Sequence, residues 1–286
     1  ATDLARVLGK DPAIGRFEKQ DEFYENERFV ISSAVGHLVQ QSLPMTADGK
    51  IATGNRTVSS FGSARDQAHL LELRATTDAV VCGSRTANLP GITLGPGGPR
   101  YQRQRLRRRL LEFSVRVVVS GNAHLDPRAD VFSETHSPLV VLVTRKAPVS
   151  RVRRLQQAGA IVGGFGEQRV DLVSALTWLR ARWNVRRLVC EGGSELNDSM
   201  FRAGLIDEVH VTVCPLLFGG RLAPTITDGL GLPNLAAAIG LEWTRTRRIG
   251  DELFATLRVV RGNPSTLPRG GPVSRCPAVM GQTQPW

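Results

Sequence analysis

The chain has 286 residues, 41% of them apolar and 22% charged, enough for one large α/β domain or two small ones around a substantial core. Its 37 basic and 26 acidic residues leave a net charge of +11. No stretch approaches the roughly 18 apolar residues of a spanning helix, and Cys82, Cys190, Cys214 and Cys276 form no CxxC or Cys/His grouping. These features argue against a membrane span, a structural zinc site and a disulfide framework; no metal is expected, and a reducing cytoplasm is the expected compartment.

Residues 1–36 read as an N-terminal extension, with five acids between Glu18 and Glu27. His37 to Leu43 is an expected strand. It runs into Met45-Thr46-Ala47-Asp48-Gly49-Lys50-Ile51-Ala52, where Asp-Gly marks a turn and Lys50 sets a cation beside a carboxylate. The plainer reading of that turn is a surface charge pair. Ser63 caps a helix reaching Ala75, with Ala68, Leu71 and Ala75 inward. Arg74 lies in its last turn, where the helix dipole favours a cation. Ala79 to Cys82 is a buried strand ending in Gly83-Ser84-Arg85-Thr86. Such strand ends bind nucleotides in open α/β sheets, though an ordinary turn looks the same.

Asn88 to Pro99 holds four glycines and three prolines and is a loop. An arginine-rich helix follows. Between Arg100 and Arg116 there are seven arginines and one acid, Glu112. Such a patch attracts a phosphorylated metabolite, an acidic cofactor or nucleic acid; its plainer reading is a solvated helix face. Nucleic acid is disfavoured because Tyr101 is the one aromatic among the arginines from Arg100 to Arg109. Val115 to Val119 is a strand ending at Ser120-Gly121, and Leu139 to Val143 another, ending at Thr144-Arg145. Val149 to Ala158 reads as a helix closed by Gly159, and Ala160 to Val162 as a short strand. Asp171 caps a helix through Trp183, with Leu172, Leu176, Leu179 and Trp183 on one face.

Leu188 to Cys190 is the next buried strand. After Glu191 come Gly192 and Gly193, then a helix from Ser194 with Leu196, Met200 and Ala203 on one face and Gly204 at its C′ position. A Gly-Gly turn opening a helix is a phosphate cradle in principle and a tight turn in the plainer reading; no GxGxxG or Walker pattern decides. Val209, Val211 and Val213 alternate as a strand, and Leu241–Arg248 with Glu252–Val260 form an antiparallel hairpin. Residues 262–286, rich in proline and glycine and without an acid, read as a flexible tail. The expected fold is α/β: one domain over 37–261, with a mainly parallel central sheet, helices on both faces and the antiparallel hairpin at its end.

These blocks, with Arg202-Ala203-Gly204-Leu205-Ile206-Asp207-Glu208 and Pro215-Leu216-Leu217-Phe218-Gly219-Gly220, occur in an order that resembles the pyrimidine reductase family of riboflavin biosynthesis, over about residues 37–260. The resemblance implies a dihydrofolate-reductase-like fold and NADPH-dependent reduction of a ribosylaminopyrimidine 5′-phosphate, hydride going to C1′ of the ring-opened sugar. It implies a homodimer, and a stand-alone reductase, since the zinc motifs of the deaminase domain often preceding it are absent. Carried over by position, Gly83, Ser84 and Thr86, the turn Gly192, Gly193, Ser194, Glu195 and Leu196, and Ser120 with Gly121 would hold the cofactor. Glu191 would face the substrate ribose and Arg74 its phosphate. Asp48 and Lys50 would flank the nicotinamide, with Lys50 or Glu191 doing the proton work. The family's Ala-Asp-Asp-Pro-type loop is replaced here by Ala87-Asn88-Leu89-Pro90, and Arg100, Arg103 or Arg105 is expected to supply the arginine that loop usually leads to. Two other readings remain: a related reductase acting on a pterin-like substrate such as dihydrofolate, and a non-catalytic nucleotide- or nucleic-acid-binding protein.

Overall fold

The computed structural model describes residues 38–56 and 61–261; the expected N-terminal extension and C-terminal tail lie outside them. Nine strands form one sheet: β1 (Leu38–Thr46), β2 (Ala79–Gly83), β3 (Val115–Val119), β4 (Leu139–Val143), β5 (Ile161–Gly164), β6 (Arg187–Cys190), β7 (Glu208–Cys214), β8 (Gly240–Ile249) and β9 (Glu252–Val260). Their order across the sheet is β5-β4-β3-β2-β6-β1-β7-β9-β8. Strands β1 to β7 pair in parallel, and β9 joins antiparallel to both β7 and β8. The helices are α1 (Ala64–Arg74), α2 (Ser84–Ala87), α3 (Pro99–Arg107), α4 (Val149–Gln157), α5 (Leu172–Trp183) and α6 (Ser194–Arg202).

Successive strand residues point to opposite faces, so a strand apolar throughout feeds two cores at once. Val81, Val117, Val140 and Leu142 meet Leu176, Leu179 and Trp183 of α5 and Met200 of α6 on one face. Val80, Cys82, Val118 and Val141 meet Leu73 of α1 and Val152 and Leu155 of α4 on the other. The caps are as expected: Ser63 accepts the N–H groups of Arg65 and Asp66, and Asp171 accepts that of Ser174. Ala203 departs from expectation and is exposed, because α6 ends at Arg202 and the chain is already turning at Gly204.

Asp207 fixes the start of β1 in the middle of this sheet. Its carboxylate accepts the Val39 N–H at 2.8 Å and Arg261 Nη2 at 2.5 Å. Burial nevertheless raises its pKa to about 6, against the downward pull of these partners. The unfolded value is about 3.9. A carboxyl with a raised folded pKa contributes stability that is fully present below the unfolded value and is lost as pH rises through the folded one. Asp207 is therefore expected to titrate near pH 6, followed by NMR at its Cγ, and Asp207→Asn to flatten the stability slope between about pH 4 and 6. A midpoint near 4 would show the ion pair outweighing burial.

Candidate active site

The carboxyl ends of β1, β2, β3, β6 and β7 open on the same edge of the sheet, the edge where open α/β folds hold ligands. The β2–β6 pairing continues past both strands: Glu191 N donates to Val81 O at 2.8 Å and Gly83 N to Gly192 O at 3.0 Å. This brings the two sequence-distant turns together. Gly192 and Gly193 have φ of +92° and +89°, conformations that side chains rarely adopt. A Cβ on Gly192 would stand 2.8 Å from Leu43 Cδ2. One on Gly193 would stand 3.7 Å from Thr86 Oγ1 and 3.9 Å from Gly83 Cα. Bare backbone thus lines the gap between the turns, and no side chain caps the start of α6, whose first N–H groups and positive dipole end lie there.

The expected cofactor residues assemble around this gap. Ser84 begins the short helix α2 with Thr86 inside it, and Ser194, Glu195 and Leu196 form the first turn of α6. Glu195 reaches across to Arg85 at 3.1 Å in an exposed ion pair. Ser120 and Gly121 lie at the adjacent end of β3, where Ser120 Oγ accepts His124 N and Gly121 O accepts both the N–H and the hydroxyl of Thr144. Their hydroxyl and carbonyl are therefore spent on the turn itself.

The charged residues require correction. Arg74 is 8% exposed and does not offer its guanidinium to a phosphate. Its Nε and Nη2 grip the two oxygens of Glu191 at 2.5 and 2.6 Å, and Nη1 donates to Gly95 O at 2.6 Å. Burial works against the charged form, yet the Glu191 charge and its hydrogen bonds prevail and hold the Arg74 pKa above its ordinary value. Glu191 in turn faces Arg74, both oxygens engaged, rather than an open ribose subsite. Arg105 is likewise removed from solvent, 1% exposed. Its Nη1 donates to the carbonyls of Arg74 and Thr77 at 2.6 and 2.7 Å and its Nε to Leu111 O at 2.8 Å. A guanidinium so placed is spent on backbone carbonyls at and beyond the end of α1 and is turned away from solvent, unlike the phosphate arginine expected there. Arg100 is exposed, 3.9 Å from Glu72 and over the Tyr101 ring, and Arg103 is exposed on the same helix.

Asp48 and Lys50, expected beside the nicotinamide, bind the turn after β1 to the loop after β7. Asp48 accepts the Thr46 hydroxyl at 2.5 Å, Phe218 N at 3.2 Å and Gly219 N at 2.8 Å. The Thr46 bond foremost, with the backbone N–H groups, holds its pKa below the ordinary carboxylate range, so Asp48 stays anionic at neutral pH and is no general acid. Lys50 Nζ donates to Ala223 O at 3.2 Å and keeps two of its three N–H groups uncommitted among the described residues.

Sequence reasoning missed the Gly95 carbonyl, the inward turn of Arg105 and the part played by Asn197. Asn197 is fully buried in α6 and its Nδ2 donates to Ile226 O at 2.8 Å, tying the helix to the loop that follows β7. An asparagine inside a short helix, where its propensity is poor, was the available signal.

Comparison with known proteins agrees with this geometry. The RibD C-terminal domain family matches residues 38–255. The chain is 36% identical over 215 residues to the 2,5-diamino-6-ribosylamino-4(3H)-pyrimidinone 5′-phosphate reductase of Methanothermobacter thermautotrophicus, covering 75% of this chain and 94% of that protein. It is 34% identical over 216 residues to the enzyme of the same description from Archaeoglobus fulgidus, with the same coverage of 75% and 94%. The solved structure of Acinetobacter baumannii RibD shares the fold at a TM-score of 0.65 and 17% identity, over 80% of this chain and 59% of that one. The sheet, the facing glycine turns and these relatives lead to one conclusion: the chain belongs to the RibD C-terminal domain family and is a pyrimidine reductase of riboflavin biosynthesis, an oxidoreductase that draws on a nicotinamide cofactor.

Proposed function

We propose that the chain reduces 2,5-diamino-6-ribosylamino-4(3H)-pyrimidinone 5′-phosphate to its ribitylamino form with NADPH. The three relatives named for that substrate are covered over 93–94% of their length, whereas RibD of Actinobacillus pleuropneumoniae is covered over 59%. The observation that carries the cofactor assignment is the pair of bare turns. A Cβ at Gly193 would narrow the gap beside Gly83 and Thr86, one at Gly192 would run into Leu43, and the uncapped start of α6 completes a cradle of N–H groups suited to a dinucleotide's phosphates. Exposed Arg145 and Lys146 beyond β4 suit a 2′-phosphate and so favour NADPH over NADH.

Bound there, the nicotinamide supplies the hydride. The residues of the chain orient and neutralise. Gly83, Ser84 and Thr86 with Gly193, Ser194, Glu195 and Leu196 fix the cofactor, and Ser120 and Gly121 border its adenosine half. The Arg74–Glu191 pair acts as a rigid floor that sets the Gly-Gly turn. Lys50, whose remaining N–H groups are uncommitted, donates the proton that accompanies hydride delivery. The substrate phosphate falls to Arg100 and Arg103, the exposed arginines of the expected set.

Loss of the nicotinamide absorbance is expected with the diamino substrate and NADPH, slower turnover with 5-amino-6-(ribosylamino)uracil 5′-phosphate, and none with dihydrofolate. Turnover of the uracil compound alone would move the enzyme to the other side of the deamination step, and no turnover of either pyrimidine would defeat the assignment. Purified protein is further expected to be a homodimer joined through the outer face of β8 and β9. There Trp243, 65% exposed, Leu241 and Leu232 rim an apolar trough of about 680 Å³. Light scattering should give twice the chain mass, and Trp243→Asp should give monomer. Three buried free cysteines suit action in the cytoplasm.

A further inference from the structure

A second concavity, of about 780 Å³, lies between α1, the end of α3 and the β7–β9–β8 edge of the sheet, and it includes none of the strand-end residues of the active site. Five arginines line it: Arg65 from α1, Arg107 and Arg108 from the end of α3, and Arg245 and Arg247 from β8. All five are exposed, and none of their guanidiniums makes a hydrogen bond or ion pair among the described residues. The one acid in the lining, Glu72, lies 3.9 Å from Arg100 on the neighbouring helix. The nearby Glu208 is committed as well, with Oε1 2.6 Å from His210 Nε2. Like charges converging on one concavity repel one another, and a bound counter-ion relieves that repulsion.

The placement is built into the strand. Along β8 the pairing with β9 passes from Trp243↔Leu257 to Arg245↔Thr256, so Thr244 is an extra residue in a β-bulge. A bulge re-aims the side chains that follow it. Before the bulge Leu241 and Trp243 face the apolar trough; after it Arg245 and Arg247, at the same odd positions, face the arginine-lined groove. The floor is apolar, made by Leu73, Ile249 and Phe254, and beside it the rings of His69 and His210 lie 5.6 Å apart. Burial first, and then the His210 and Arg245 charges, hold His69 below its ordinary pKa, although Glu72 pulls the other way. The volume exceeds what one phosphate fills and lies within the range of small-molecule sites.

We propose that this groove is a second ligand site, for an anion carrying two or more linked phosphates, inorganic or nucleoside-borne. Guanidiniums match phosphate oxygens bidentately, and several around one groove favour a polyphosphate over a single anion.

Isothermal titration of the full chain, alone and with one equivalent of NADPH to occupy the cofactor site, tests this with pyrophosphate and ADP as separate probes. Both are expected to bind, and Arg245→Ala/Arg247→Ala to weaken them about tenfold or more while NADPH affinity stays as it was. Arg107→Ala/Arg108→Ala, from the opposite wall, should do the same, so the result does not hang on one strand. Removing two charges elsewhere, in Arg153→Ala/Arg154→Ala, should leave binding intact. Tighter ADP than pyrophosphate assigns the apolar floor to a nucleoside, and equal affinities assign the site to the phosphates alone. The proposal is overturned by no binding at millimolar probe, by binding that NADPH abolishes, or by equal weakening in the control variant. None of these outcomes bears on the reductase assignment, which the turnover assay decides separately.

Discussion

Glu191→Ala is expected to cost about 3–5 kcal/mol of stability, because it strands a buried guanidinium without its counter-charge. Arg74 has its Nε and Nη2 on Glu191 and its Nη1 on Gly95 O, and burial leaves no water to replace the lost carboxylate. The damage reaches further than the pair. Arg105 donates to the carbonyl of Arg74, so the end of α1, the glycine-rich loop at Gly95 and the turn after β6 share one set of hydrogen bonds. With that floor loosened, kcat/KM should fall about a hundredfold, the scale of a small misplacement of reacting groups. Urea unfolding and steady-state kinetics read the two effects. The double variant Arg74→Met/Glu191→Leu separates them: it should regain most of the stability while activity stays low. A loss under about 1 kcal/mol for Glu191→Ala would mean that the pair is as weak as a surface salt bridge.

Gly193→Ala is expected to raise the KM for NADPH by about tenfold or more, with a stability cost of about 1–3 kcal/mol from the positive φ. In the protein alone the new methyl would meet Thr86 Oγ1 at an ordinary 3.7 Å, so the site accommodates it. What it removes is the space a phosphate would take between the two turns. Gly204→Ala provides the comparison: φ is +63° and nothing lies within 4 Å, so a milder positive-φ strain is introduced away from the two turns. It should lower the melting temperature and leave the KM unchanged. Equal KM effects in both variants would show that Gly193 acts through stability alone.

Local structure was legible wherever one residue decides it. Ser63 and Asp171 announce helix starts, the apolar runs at Ala79, Val115 and Leu139 announce buried strands, and Ile249-Gly250-Asp251 marks the hairpin. Both glycine turns could be placed at strand ends because glycine there has a short list of uses, while the cofactor role expected of them came from the family resemblance. The charged half of the site was not legible. An arginine one turn from a helix end reads as dipole complement, and nothing local tells that Arg74 meets a carboxylate 117 positions away. Arg105 was hidden among exposed arginines. Its burial follows from α3 lying on its Tyr101 and Arg105 face, where Arg105 has three carbonyls to satisfy. The strand order was equally closed to local reasoning, since it depends on which crossovers bury both sheet faces.

That order has a kinetic consequence. The first strand among the described residues sits between β6 and β7, so both of its partners emerge from the ribosome long after it does. Until Arg187 has been synthesised, Leu38 has no neighbour to pair with, and a backbone of free N–H and C=O groups waits through most of translation. The closing step of folding is therefore the insertion of an early segment into a slot formed by late ones, a loop closure that grows costlier with every residue between them. Refolding should be slow for a chain of this length, with amide protection in β3, β4 and β5 preceding that in β1.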